Sequence, residues 1–260
     1  MGSPSRFLSP APVQTEDVLP KLLELGFAEA DAGVLADHFL EAERRGKRGH
    51  GFSRVEWLAT QEVDPTAKPE RVVAEAGFER WDGRGAVGYL TLAAICDAQV
   101  AASPEQARVV VASHCFPTGM LGYWTRRLAD AGLVAALTAT SPARLGHPDG
   151  GRTLAGTNPL SIAIPSSDGA HVVADVSMGE VTYGDVIAGL ASEEELVPFG
   201  GEHAHKAFAL AVGLQLLVDA LAGEGYGAVL LVARPAADPV PAFRRLAAGL
   251  RLPGDGATNS

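Results

Sequence analysis

Apolar residues recur along this chain with two periods. Between Thr15 and Leu25 a cap residue and first-turn acids precede a leucine stripe, and Gly26 follows, so the spacing predicts a helix. Glu29 to Arg45 repeats the pattern with Ala32, Leu35, Ala36, Phe39 and Leu40 on one face, closed by Gly46. Further helices are predicted over 89–102 and 123–131, from the segment Phe199–Lys206 to about Leu221, and over 241–250. Apolar runs of strand length lie at 78–81, 108–112, 133–139, 160–164, 171–176 and 226–232. The runs Leu160–Ile164 and His171–Val176 flank Pro165-Ser-Ser-Asp-Gly169, a turn by composition, and together predict a hairpin. Polar residues stand at its ends: Thr157 and Asn158 before the first run, Asp175, Ser177 and Asp185 at and beyond the second. Buried strands with polar ends make site walls, although turn chemistry alone places the same residue types. Helices and strands do not alternate strictly, so the expected class is α/β with a mixed sheet rather than a doubly wound one.

The two ends lack this patterning. Residues 1–14 are polar and Pro-rich and are expected to form a flexible arm; residues 251–260 are expected to form a flexible tail. Residues 15–250 are then expected to make one folded unit. Its helical part runs over about 15–60, its mixed-sheet part over about 70–235, and its last helix over about 240–250. A length of 260 residues with 47% hydrophobic content suffices for a substantial core. The net charge of -10, without a basic block, argues against nucleic-acid binding. Cys96 and Cys115 lack metal-ligand spacing and read as reduced intracellular thiols. No signal-like apolar run follows Met1, and no stretch reads as a membrane span. The expectation is a cytoplasmic protein with a small-molecule partner and no metal.

Three segments carry candidate chemistry. Gly83-Arg-Gly-Ala-Val-Gly88 satisfies a dinucleotide fingerprint between a strand and a helix. The preceding segment is a poor buried strand, and no apolar strand with a terminal acid follows about 20 residues later, so it reads as a turn. Gly46-Lys-Arg-Gly-His-Gly-Phe-Ser-Arg54 sets His50, titratable near neutrality, four residues before Arg54, which can clamp a carboxylate bidentately. His203, His205 and Lys206 do not share a helix face and have no evident Cys or carboxylate partner, so a metal is not expected; Lys206 at a Gly-Gly helix start could face a phosphate. The remaining histidines, 38, 114, 147 and 171, read as structural or exposed. No nucleophile elbow, phosphate-binding loop or HExxH motif is present.

Taken together, Ala36-Asp-His-Phe-Leu-Glu-Ala-Glu-Arg-Arg-Gly46, Gly49-His-Gly-Phe-Ser-Arg54, Gly119-Met-Leu-Gly-Tyr-Trp124, Leu154-Ala-Gly-Thr-Asn-Pro-Leu160, the Asp175 region and Pro198-Phe-Gly-Gly before His205-Lys206 resemble the malate/L-lactate dehydrogenase type 2 family. The resemblance runs over about residues 15–250 in matching order. It implies a non-Rossmann fold, a nicotinamide cofactor (NADPH or NADH) and a homodimer with its site near the subunit interface. It also implies His50 as proton donor, Arg54 as carboxylate clamp and Thr157 as a substrate contact. Pro117, Thr118, Gly119, Met120, Leu121, Asp175, Val176, Ser177, His205 and Lys206 would line the cofactor, with Tyr183 and Gly184 beside the substrate.

Within the family, hydroxy-acid dehydrogenases usually carry Gly-Lys where this chain has Gly184-Asp185, which resembles the cyclic-imine reductases. There the acid joins a proton relay with the catalytic histidine, and Asp185 is accordingly expected to be catalytic. A carboxylate at that place favours both iminium and imidazolium. The expected reaction is reduction of a Δ1-piperideine-2-carboxylate or Δ1-pyrroline-2-carboxylate type substrate. Two alternatives stay open: a malate- or lactate-type dehydrogenase, and a degenerate member that only binds. The second rests on departures from the family pattern: Gly49 in place of a serine, Pro117-Thr118-Gly119 in place of His-Phe-Gly, a shortened segment between Asp185 and Phe199, and a short C-terminal portion.

Overall fold

The computed structural model describes residues 14–255. Residues 1–13 of the proposed arm (1–14) and the last tail residues, 256–260, lie outside the described residues. Seven strands form one sheet in the order β1 (Glu70–Ala74), β2 (Phe78–Asp82), β3 (Ala107–Ser113), β9 (Gly227–Ala233), β4 (Val134–Ala139), β7 (Leu160–Ile164) and β8 (Val172–Val176). Every neighbouring pair is antiparallel except β2 and β3. A two-stranded ribbon, β5 (Leu145–Gly146) and β6 (Thr153–Ala155), stands apart. The mixed α/β class expected from the irregular alternation is the class observed.

One sheet face is built for burial. Ala228, Leu230 and Val232 of β9 and Ala135, Leu137 and Ala139 of β4 point to it and are nearly inaccessible to solvent. Helices α2 (Glu29–Arg44), α4 (Gly88–Ala101) and α5 (Leu121–Asp130) supply the opposing side chains, including Leu35, Phe39, Leu92, Ile95, Trp124 and Leu128. The period-two alternation of the strands thus meets the 3.6-residue stripe of the helices. Short helices α1 (Val18–Glu24) and α3 (Ser53–Ala59) extend this layer through Leu22, Val55 and Leu58.

The opposite face carries α7 (Ala204–Ala222), seated on the sheet through Ala207, Ala211 and Val218. The segment Gly201–Ala222 is long and apolar enough to cross a membrane, contrary to the sequence reading. Its place here is against β9, β4 and β6, with Gln215 accepting a hydrogen bond from Asn158 at 2.9 Å. The last short helix is α8 (Val240–Leu246). The first tail residues are held rather than free: the Pro253 carbonyl accepts from Val173 N at 3.0 Å, and Arg244 pairs with Asp255 at 2.8 Å.

The fingerprint-like segment lies between strand β2 and helix α4, as the sequence reading had it, and the parallel pairing of β2 with β3 makes the three a strand–helix–strand unit. It still cannot seat a pyrophosphate. Gly88 N donates to Phe116 O at 3.2 Å, and a Cβ on Gly88 would lie 2.7 Å from Phe116 N and Pro117 O. The helix N-terminus is therefore occupied by the chain's own backbone.

Candidate active site

The hairpin end, the glycine-rich segment after α2 and the loop before α5 converge on one cleft of about 320 Å³. His50 closes a short 3₁₀ turn, Arg48–His50, and Arg54 stands one turn later on α3. Arg54 is buried, donates through Nε to Gly49 O at 2.8 Å, and packs over the Trp57 ring at 5.2 Å. Its terminal nitrogens carry no hydrogen bond among the described residues and are free for a carboxylate.

His50 lies among cations. Burial, then Arg54, then Lys47 lower its pKa to about 3, so the ring is neutral at ordinary pH. Its Nδ1 and the Tyr89 hydroxyl are buried without a hydrogen-bond partner, and both residues line the cleft. Unpaired buried polar atoms facing a cavity are suited to a bound ligand.

Asp185 does not join His50 by a hydrogen bond. Residues 183–187, for which no helix was predicted, form the short helix α6 (Tyr183–Ile187), and Asp185 completes its capping box. Its Oδ2 accepts from Thr182 N at 2.8 Å and Thr182 Oγ1 at 2.7 Å. The carboxylate expected in a relay is thus engaged by the helix start. Its other oxygen rests against Gly49, the residue before His50.

Asp175, at the end of β8, accepts from Gly122 N at 2.8 Å, where the positive end of α5 meets its charge. Burial pushes its pKa upward despite that bond. The residues 117–121 form the cleft's inner rim. Gly119 has φ +68°, and a Cβ there would strike the rings of Tyr89 and His38. Met120 N donates to His38 Nε2 at 3.0 Å, so a histidine read as structural fixes the rim.

The cleft is lined by His50, Arg54, Pro117, Thr118, Gly119, Met120, Leu121, Thr157, Asp175, Ser177, Tyr183, Gly184 and Asp185. Val176 is half-exposed and lines only an adjoining hollow. His205 and Lys206 are not brought in: both are exposed on α7, whose buried side is Ala204, Ala207 and Ala211. Sequence reasoning passed over Lys47, Trp57, Tyr89 and Arg144, which also line the cleft. Lys47 belonged to the cationic glycine-rich segment already singled out. Arg144 follows the end of a buried strand, a usual place for site residues.

A nicotinamide dinucleotide suits these surroundings. The cleft shares Lys47, Met120 and Asp175 with the adjoining hollow of about 420 Å³, to which Arg45, Arg126 and Arg251 add positive charge. An elongated ligand with an anionic centre matches two joined hollows with cations at and beyond their junction.

The pattern of the malate/L-lactate dehydrogenase family matches residues 15–196, and this chain belongs to that family. Among curated relatives, the 2,3-diketo-L-gulonate reductase of Klebsiella pneumoniae is 28% identical over 188 residues, covering 69% of this chain and 55% of that protein. The chain therefore matches only about half the length of such relatives. Malate dehydrogenase from Entamoeba histolytica superposes with a TM-score of 0.79 at 19% identity, covering 93% of this chain and 85% of that one. Δ1-Piperideine-2-carboxylate reductase from Pseudomonas syringae does so at 0.78 and 24% identity, covering 93% and 89%. These likenesses bear out the family's non-Rossmann fold.

Proposed function

We propose that this chain is an oxidoreductase that reduces a cyclic α-imino acid, of the Δ1-piperideine-2-carboxylate or Δ1-pyrroline-2-carboxylate type, to the cyclic amino acid with NADPH or NADH. The observation that carries this reading is the placement of His50 and Arg54 on one wall with the Asp185 carboxylate packed against the His50 turn. Arg54 offers its free terminal nitrogens to the substrate carboxylate. Asp185 favours the cationic iminium form of the substrate nitrogen. A neutral His50 suits a substrate that arrives protonated, because hydride addition to an iminium yields an amine without an acid. The substrate carboxylate offsets the Arg54 charge and so relieves one cause of the low His50 pKa. When bound, the nicotinamide group supplies the hydride. Met120, Asp175 and Ser177 would hold it, with Lys47 toward the phosphates.

Reduction of a 2-oxo acid to a 2-hydroxy acid is the second reading. The name of the curated relatives favours it, and Arg54 suits it equally, whereas the forming alkoxide needs a proton that a neutral His50 is poorly placed to supply. Oxidation of NADPH or NADH by the purified protein, followed with each imino acid and with 2,3-diketo-L-gulonate and simpler 2-oxo acids, separates the two. Turnover of the imino acids supports the first reading; turnover of 2-oxo acids alone overturns it. Failure of the folded protein to bind either cofactor in calorimetry overturns both and leaves a binding protein.

We also propose a homodimer. Leu210, Leu216 and Leu217 of α7 and Leu231 of the sheet stand exposed, an apolar surface suited to a second copy. A monomer in sedimentation equilibrium at micromolar concentration would rule this out.

A further inference from the structure

Arg144 stands on the loop between β4 and β5 and lines the substrate cleft. Its backbone N–H donates to Ala155 O at 2.8 Å, which anchors the loop. Its guanidinium has no ion pair or hydrogen bond among the described residues. Its Cζ lies over the Tyr183 ring, 3.3 Å from the ring centre. Stacking of this kind holds the planar fork in one orientation and leaves its N–H edges open.

The neighbouring residue, Gly184, touches the other arginine of the cleft. A Cβ on Gly184 would lie 2.6 Å from Arg54 Nη2. Two guanidiniums thus flank consecutive residues of α6. The charge balance supports a demand for anions. Lys47, Arg54 and Arg144 line the cleft with only two carboxylates, Asp175 and Asp185. Both carboxylates already accept hydrogen bonds from protein donors. One α-carboxylate would satisfy Arg54 and leave Arg144 unpaired. Lys47 borders the adjoining hollow as well, whereas Arg144 borders the substrate cleft alone.

We propose that Arg144, held by Tyr183, is a second anion clamp that selects substrates carrying a second carboxylate. The substrate class is then a dicarboxylic α-imino or α-oxo acid, with Arg54 on the α-carboxylate and Arg144 on the distal one. The inference rests on the reading of the cleft as a substrate site, but not on which reaction occurs there. The same guanidinium could meet an anionic group of the cofactor, and the test separates these sources.

Binding of unreactive probes is measured by calorimetry on the full chain. Picolinate against dipicolinate offers a rigid spacing, and butyrate against glutarate a flexible one. In at least one pair the dicarboxylate is expected to bind roughly ten- to a hundredfold more tightly, as for one added charge-assisted hydrogen-bonded pair. Arg144→Met, which keeps an apolar stem against Tyr183, is expected to erase that preference and leave the monocarboxylate affinity unchanged. Arg144→Lys is expected to restore part of it. Equal binding of both members of each pair by the wild type overturns the proposal, as does absence of binding to all four. A variant that loses mono- and dicarboxylate affinity alike also overturns it. So does one that weakens NADPH and NADH binding while preserving the preference, which would assign Arg144 to the cofactor. The imine reading can fail in turnover assays while this preference stands.

Discussion

Gly49 and Asp185 share one space. A Cβ on residue 49 would lie 2.5 Å from Asp185 Oδ1, 2.6 Å from Asp185 N and 2.7 Å from Gly184 C. The serine that the family resemblance puts before the catalytic histidine has no room here, because the α6 acid stands where its side chain would begin. Gly49→Ala is therefore expected to push α6 away from the His50 turn. Overpacking of this kind costs about 1–3 kcal/mol. Thermal unfolding and substrate affinity check it: an alanine variant with unchanged midpoint and unchanged KM would contradict the close contact.

His50 lies in the cleft with its pKa lowered to about 3. Because hydride addition to an iminium needs no acid, His50→Gln is expected to lower kcat for imino acids by less than the about 10²–10⁴-fold that loss of a positioned acid–base group typically costs. In the free enzyme the ring is already neutral well below pH 6. The pH profile of kcat/KM for an imino acid is thus expected to show no His50 ionisation near 6.5. A limb at that pH in the wild type that vanishes in His50→Gln would refute the neutral assignment.

His38 gives a separate acid sensitivity. It is fully buried, and burial, followed by the nearby His50, lowers its pKa to about 3. In the unfolded chain the ring returns to an ordinary histidine value near 6.5. Between those values the unfolded state binds the extra proton, so stability rises with pH in that window. The contribution is complete above 6.5 and is lost as pH falls toward 3, by up to about 1.4 kcal/mol per unit, or roughly 2 kcal/mol by pH 5. Urea unfolding at pH 7 and pH 5 should show a smaller loss in His38→Gln, which keeps an acceptor for Met120 N–H. Equal losses in variant and wild type would remove His38 as the source.

Legibility in the sequence followed the strength of burial. The bounds of β7, Leu160–Ile164, coincide with the apolar run because β4 and β8 pair it on both sides and α5 covers one face, although Ile162 on the other face stays exposed. Edge strand β1 was not read: four of its five residues are exposed, so no face alternates. Helix α6 was not predicted because five residues show no period, although Thr182-x-x-Asp185 is a capping signal. The His50–Arg54 pair was legible from its residue types among glycines, although spacing alone did not place them, since non-helical Gly51 separates the His50 turn from α3. The position of Arg144 was not, since nothing local reveals that its loop folds back over Tyr183. His205 and Lys206 fall opposite the Ala204, Ala207, Ala211 stripe, and that stripe was visible in the sequence.

Asp185 carries two separable properties, shape and charge. Its shape closes the Thr182 capping box, and its charge lies against the His50 turn. Asp185→Asn retains an oxygen for the Thr182 donors and removes the charge. It is expected to leave unfolding stability within about 1 kcal/mol, since asparagine and aspartate side chains both accept backbone hydrogen bonds. It is also expected to lower kcat/KM for imino acids by tenfold or more, since the iminium loses a nearby anion. Thr182→Val does the converse: it removes the cap hydroxyl, costs about 1 kcal/mol, and keeps the carboxylate. If Asp185→Asn loses stability and activity in the same proportion as Thr182→Val, the acid acts only as a helix cap. If kcat/KM for imino acids falls while stability and 2-oxo acid kinetics hold, the charge itself is what the reaction uses.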